Sequence, residues 1–127
     1  MMQKTILITD DSLVLRTMLE AIILARWPDW RVLHAETGLE ALAILKEQPV
    51  DCVTVDFHMP EMNGITFLQT AKAQYPDTDF IFITANLQEN LTEALESMGV
   101  SWIHKPITAG NVINAIEKLE LNHAAIE

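Results

Sequence analysis

Apolar runs of strand length alternate with segments of helical period five times along the chain, and this alternation restricts the fold more than any other feature. The strand-like runs are Thr5–Thr9, about Arg31–Ala35, Cys52–Val55, Phe80–Ile83 and Ser101–His104. Between them, a segment from about Ser12 to Arg26 puts Leu15, Met18, Leu19, Ile22 and Ile23 on one side and ends before Pro28. A second, Gly38 to about Glu47, turns Leu42 and Leu45 inward and closes at Pro49. A third follows Pro60 and Gly64, carries Ile65, Phe67, Leu68 and Ala71, and breaks at Pro76-Asp77. A fourth carries Leu91, Ala94, Leu95 and Met98, with Gly99 as a natural C-terminal cap. Thr108 is placed to cap the last helix, whose apolar side holds Val112, Ile113, Ile116 and Leu119.

The first, third and fourth runs are apolar on both faces, as in a parallel sheet covered on both sides. The expected fold is α/β: five βα units forming an open, doubly wound parallel sheet with strand order 2-1-3-4-5. The length of 127 residues suits one domain, with a core over about residues 4–121 and no effector domain. No run approaches the roughly 18 apolar residues of a membrane span. Met1-Met2-Gln3-Lys4 leads within a few residues to acids at Asp10 and Asp11, unlike a secretory leader. A cytoplasmic chain without membrane insertion is expected. Cys52 is the single cysteine, which excludes an internal disulfide and suits a buried thiol. The net charge of -10, with only 8 scattered Lys and Arg, argues against direct binding of nucleic acid.

In an open parallel sheet, ligands bind outside the carboxyl ends of the strands. The residues just past each strand therefore matter most. They are Asp10-Asp11-Ser12 after the first, Asp56 after the third, Thr84-Ala85 after the fourth and Lys105-Pro106 after the fifth. Asp10 and Asp11 alone read as a helix N-terminus, where acids and a Ser cap are favourable. Together with Asp56 they would form a cluster of carboxylates that needs a compensating cation. Mg²⁺ prefers such hard oxygen ligands, and Lys105 adds positive charge. Asp56 is then a carboxylate nucleophile able to form an acyl phosphate, and Thr84 offers a hydroxyl to a bound phosphoryl oxygen. His34, His58, His104 and His123 lie in different elements without ligand spacing, so packing or surface roles are expected.

Asp10-Asp11, Asp56 with Met59-Pro60 and Gly64, Thr84-Ala85 and Lys105-Pro106 together resemble the response-regulator receiver family, over nearly the whole chain. The resemblance implies a fold like that of the chemotaxis receivers. It implies Mg²⁺ (or Mn²⁺) held by Asp11, Asp56 and the backbone carbonyl of His58, with Asp10 assisting through water. It implies that Asp56 accepts a phosphoryl group from a sensor histidine kinase or a histidine phosphotransfer protein. Thr84 and Trp102 would switch, Trp102 standing where the family usually has Tyr or Phe. Lys105-Pro106 resembles the family's cis peptide bond. His58 and Asn86 occupy the positions that tune phosphate lifetime. A target protein would bind the face of the fourth helix, fifth strand and fifth helix, with Glu93, Ser97, Trp102, Asn111 and Asn114. Three other readings compete: a receiver-like scaffold that does not switch, a small phosphatase with an aspartyl nucleophile, and a flavodoxin-like mononucleotide binder. The phosphatases resembling haloacid dehalogenases use Asp-x-Asp after the first strand, where this chain has adjacent acids. A mononucleotide binder needs a phosphate loop there, which two acids oppose.

Overall fold

The computed structural model describes residues 3–57, 59–85 and 89–126, and side chains for all of these except 89, 90 and 120–126. The elements are β1 (Thr5–Thr9), α1 (Leu13–Arg26), β2 (Arg31–Ala35), α2 (Gly38–Glu47), β3 (Cys52–Asp56), α3 (Gly64–Gln74), β4 (Asp79–Thr84), α4 (Glu89–Ser97), β5 (Ser101–His104) and α5 (Ala109–Ile126). All strands pair in parallel, in the order β2-β1-β3-β4-β5. This is the expected doubly wound sheet.

Alternation along each strand sorts the core into two layers. Ile6, Ile8, Cys52, Ile81, Ile83 and Ile103 face α1 and α5, packing on Leu19, Ile23, Val112 and Ile116. Leu7, Val53, Val55, Phe80 and Phe82 face the other way, onto Ala41, Leu45, Phe67, Leu68 and Leu95 of α2, α3 and α4. Cys52 is buried as expected, and burial pushes its thiol pKa up.

Two strands run one residue or more past their expected limits. Asp56 is the last residue of β3, paired with Ile83, and Thr84 is the last of β4, paired with His104. The backbone ladder continues because main-chain partners are available whatever the side chain's polarity: Phe57 N–H donates to the Ile83 carbonyl at 3.1 Å and Lys105 N–H to that of Thr84 at 2.9 Å. On α1 the expected apolar side holds at Leu15, Leu19, Ile22 and Ile23 and fails at one residue. Met18 is 43% exposed, and Arg16 takes a place in the buried stripe with Leu19 and Ile23.

The helix ends follow local chemistry. Ser12, Thr37, Asn63 and Thr108 each accept a hydrogen bond from the N–H three residues on. After α4, Gly99 N–H donates to Glu96 and Val100 N–H to Leu95, with Gly99 at φ 69°. That is a Schellman ending, which needs the left-handed region. At the N-terminal pole of the sheet, Trp27 and Trp30 stack with ring centroids 4.4 Å apart. Arg26 lies 5.0 Å from the Trp27 ring centroid and Lys4 5.9 Å from that of Trp30.

Two glycines make opposite demands. A Cβ on Gly99 would meet nothing within 4 Å, so only its φ resists substitution. A Cβ on Gly64 would stand 2.7 Å from the Asp56 carbonyl oxygen and 2.8 Å from Phe82 Cε1. Gly99→Ala is expected to cost about 1 kcal/mol in urea unfolding, the usual penalty for a left-handed non-glycine residue, without altering chemistry at Asp56. Gly64→Ala is expected to cost more and to shift the NMR signals of Asp56 and Phe57. Equal costs with unshifted signals would refute the close-packing account.

Candidate functional site

The strand order brings the ends of β1, β3, β4 and β5 to one rim, and β2 ends at the sheet's edge beside β1. Asp10 follows β1 directly, Asp56 ends β3, Thr84 ends β4, and Lys105 follows β5. Carboxylate oxygens of Asp10, Asp11 and Asp56 all lie within 4.8 Å of one another. Asp11 is exposed, whereas Asp10 and Asp56 are only 2% and 4% exposed. Charged groups at that depth are unfavourable unless compensated.

Compensation comes first from Lys105, which reaches across the end of β4 to put its Nζ 2.8 Å from Asp56 Oδ1. That contact is a charge contact, without the alignment of a hydrogen bond, and Asp56 Oδ1 has no hydrogen-bond partner. Asp10 is held differently. Its Oδ1 accepts from Ser12 N–H at 2.8 Å, and its buried Oδ2 has no partner. Burial above all, then the Asp56 and Asp11 charges, push the Asp10 pKa up to about 6, against the opposing pull of the Ser12 N–H and Lys105.

The loop after β3 forms the other wall. Phe57 meets Phe82 edge-on with centroids 5.8 Å apart, and Gly64 N–H donates to the Phe57 carbonyl at 3.1 Å. Asp11, Phe57, Met59, Pro60 and Asn63 line a cleft of about 480 Å³ beside the carboxylates. Such a cleft, next to a buried carboxylate with an ammonium group at hand, can admit a small anionic group to Asp56. Thr84 is buried at the rim, and the Lys105–Pro106 peptide bond is cis.

Trp102 stands apart from the acids. It is half-buried on β5, packs against the core layer under α3 and α4, and pairs with Phe82. With His104, Asn111, Asn114 and Lys118 it lines a groove of about 510 Å³ between β5 and α5. Asn111 and Asn114 are exposed in this groove, and Glu93 and Ser97 are exposed on α4. His58 and Asn86 lie outside the described residues, as does the side chain of His123.

Sequence reasoning missed Arg16. Its guanidinium is buried behind Asp10 and reaches His34 and Glu36 at the end of β2. The signal was present: Arg16, Leu19 and Ile23 follow the 3- to 4-residue spacing of one helix face.

Comparison with known proteins agrees with this geometry. The family model for the response regulator receiver domain matches residues 6–117. The chemotaxis protein CheY of Listeria monocytogenes is 36% identical over 115 residues, covering 89% of this chain and 95% of that protein. CheY of Bacillus subtilis is 35% identical, covering 92% and 98%. Among solved structures, the CheX-CheY-BeF3-Mg²⁺ complex from Borrelia burgdorferi matches with TM-score 0.85 and 28% identity, over 91% of this chain and 88% of that one. A CheY-like receiver from Methanospirillum hungatei shares the fold at TM-score 0.86 and 24% identity, over 98% and 99%. With the acids, the lysine and the sheet order already in place, these likenesses make the chain a member of the response regulator receiver family of two-component signalling.

Proposed function

We propose that Asp56 is the phosphoryl acceptor of this receiver domain, charged by a sensor histidine kinase or a histidine phosphotransfer protein. The observation that carries this reading is the buried Asp56 carboxylate, 2.8 Å from the Lys105 ammonium group and within 4.8 Å of carboxylate oxygens of Asp10 and Asp11, the latter lining the adjoining cleft. An Asp56 oxygen attacks phosphorus in line with the departing imidazole nitrogen. The O–P bond forms as the P–N bond breaks, and the electron pair leaves with the imidazole, which is then protonated. Lys105 offsets charge on the equatorial oxygens, and the Thr84 hydroxyl donates to one of them. The chain assists its own phosphorylation and hydrolysis and needs no external substrate turnover.

The donor set fits Mg²⁺ or Mn²⁺. All the ligand atoms are hard oxygens, and buried oxygens of Asp10 and Asp56 lack hydrogen-bond partners. Asp11, Asp56 and the His58 carbonyl would hold the ion, with Asp10 assisting through water. When bound, it would supply charge neutralisation to the transferring group. Mg²⁺ with BeF3 in the similar Borrelia burgdorferi CheY complex supports this assignment.

Phosphorylation would bias Thr84 and Trp102 and so reshape the α4–β5–α5 face, where a target protein binds. Glu93, Ser97, Trp102, Asn111 and Asn114 make up that face. CheX in the Borrelia complex is a precedent for a protein partner. Output is through protein contact in the cytoplasm, without direct nucleic acid binding or membrane insertion. Among the described residues, no helix is long and apolar enough to cross a membrane.

Incubation with acetyl phosphate is expected to give a phosphoryl adduct in the intact mass only when Mg²⁺ is present, and none with Asp56→Asn. An unmodified wild-type mass under every condition would reject phosphoacceptor chemistry and leave a non-switching scaffold.

The raised Asp10 pKa also has a defined sign in folding. In metal-free protein the unfolded chain ionises Asp10 near 3.8, while the folded chain holds the proton to about 6. The folded state therefore binds more protons in this window, so this group's effect on stability becomes less favourable as pH rises from about 4 to 6, by up to about 3 kcal/mol. Asp10→Asn should match wild type below pH ~4 and exceed it in urea unfolding above pH ~6, with excess Mg²⁺ erasing the advantage. A stability difference that does not vary with pH would contradict this electrostatic account.

A further inference from the structure

Arg16 is 5% exposed. A cation so deep needs partners for its N–H groups. Nη1 donates to the Asp10 carbonyl oxygen at 2.6 Å, and Nε donates to His34 Nδ1 at 3.2 Å. Nη2 lies 3.7 Å from Glu36 Oε1. An accepting Nδ1 puts the His34 ring proton on Nε2, which is 3.1 Å from Glu20 Oε1 and donates to it.

The shortest of these contacts is to a backbone carbonyl, and the acid partner, Glu36, has a side chain 67% exposed. An ion pair with so exposed an acid contributes little. The carbonyl matters more. It belongs to the planar peptide unit joining Asp10 to Asp11, so its direction sets where Asp11 departs from the strand end. The rest of Asp10 is also tethered: its N–H donates to the Ala35 carbonyl at 3.1 Å, and Ser12 N–H holds Oδ1 at 2.8 Å. Oδ2 is the side-chain oxygen left without a hydrogen-bond partner.

We infer that Arg16 is a positioning residue for the cation site: steadied by His34, its guanidinium clamps the Asp10–Asp11 peptide so that Asp11 and Asp10 Oδ2 are preset for a divalent ion. The inference rests on the Mg²⁺ reading above and deepens it. Arg16 lowers the cost of assembling the ligands and takes no part in the transfer at Asp56. Partners that orient metal ligands in this indirect way commonly change affinity by 10- to 100-fold when removed.

The test is a Mg²⁺ titration followed by NMR, on wild type, Arg16→Met, His34→Leu and His34→Asn, with amide hydrogen exchange measured on the metal-free proteins. Arg16→Met should raise the Mg²⁺ Kd about tenfold and speed exchange at the Ser12 amide. Its acetyl phosphate rate at saturating Mg²⁺ should stay within about twofold of wild type, because the loss is in binding and not in turnover. His34→Asn keeps an acceptor near the Nδ1 position and should bind like wild type, while His34→Leu should fall between. A wild-type Kd in Arg16→Met, whatever its melting temperature, overturns the clamp and leaves the Mg²⁺ reading standing. A wild-type protein that binds no Mg²⁺ overturns both. If Arg16→Met does not fold, His34→Leu decides, and an unchanged Kd there overturns the clamp.

Discussion

Two carboxylates buried at one end of an apolar parallel sheet are the constraint around which the rest of the structure is arranged. Asp10 and Asp56 are buried at the carboxyl ends of β1 and β3, and their repulsion must be met inside the protein. Lys105 meets part of it from the far side of β4. The Ser12 N–H, supplied by the entry to α1, meets another part. What remains is an acidic site in which Asp10 Oδ2 and Asp56 Oδ1 still lack hydrogen-bond partners. The apolar layers beneath do more than stabilise the fold: by keeping water out they make each charge at the rim count for more.

The sheet's parallel sense explains why the site can form from positions so far apart in sequence. Each crossover returns the chain to the same pole, so every strand delivers its carboxyl end to one rim. Gly64 then lets the β3–α3 loop approach the Asp56 carbonyl closely, and Asn63 caps α3 directly beside it. The loop that walls the cleft is thus held by the same residues that start the next helix.

Much of this was legible in the residues themselves. Apolar runs of four or five residues marked the strands, and Ser12, Thr108 and Gly99 marked helix ends because capping chemistry is local. Strand limits were less legible at Asp56 and Thr84. Both are polar side chains on backbone that continues its ladder, and hydrogen bonding of the main chain is not visible in side-chain polarity. On α1, Met18 is exposed and Arg16, which periodicity alone did not single out, is buried beside the acidic rim. There a buried guanidinium finds a carbonyl and an imidazole acceptor, partners that only the folded chain brings together.

The stacked indoles of Trp27 and Trp30 close the opposite pole, between Lys4 and Arg26. They account for two of the three tryptophans, and Trp102 is the third. The chain's intrinsic fluorescence therefore has two spatially separate sources. The stacked pair, flanked by cations, reports on whether the closed end of the sheet is intact. Trp102 reports on the β5 groove near the rim. Replacing both Trp27 and Trp30 by Phe would leave Trp102 as the single tryptophan, so that rearrangement of the surface becomes observable by light apart from loss of the fold.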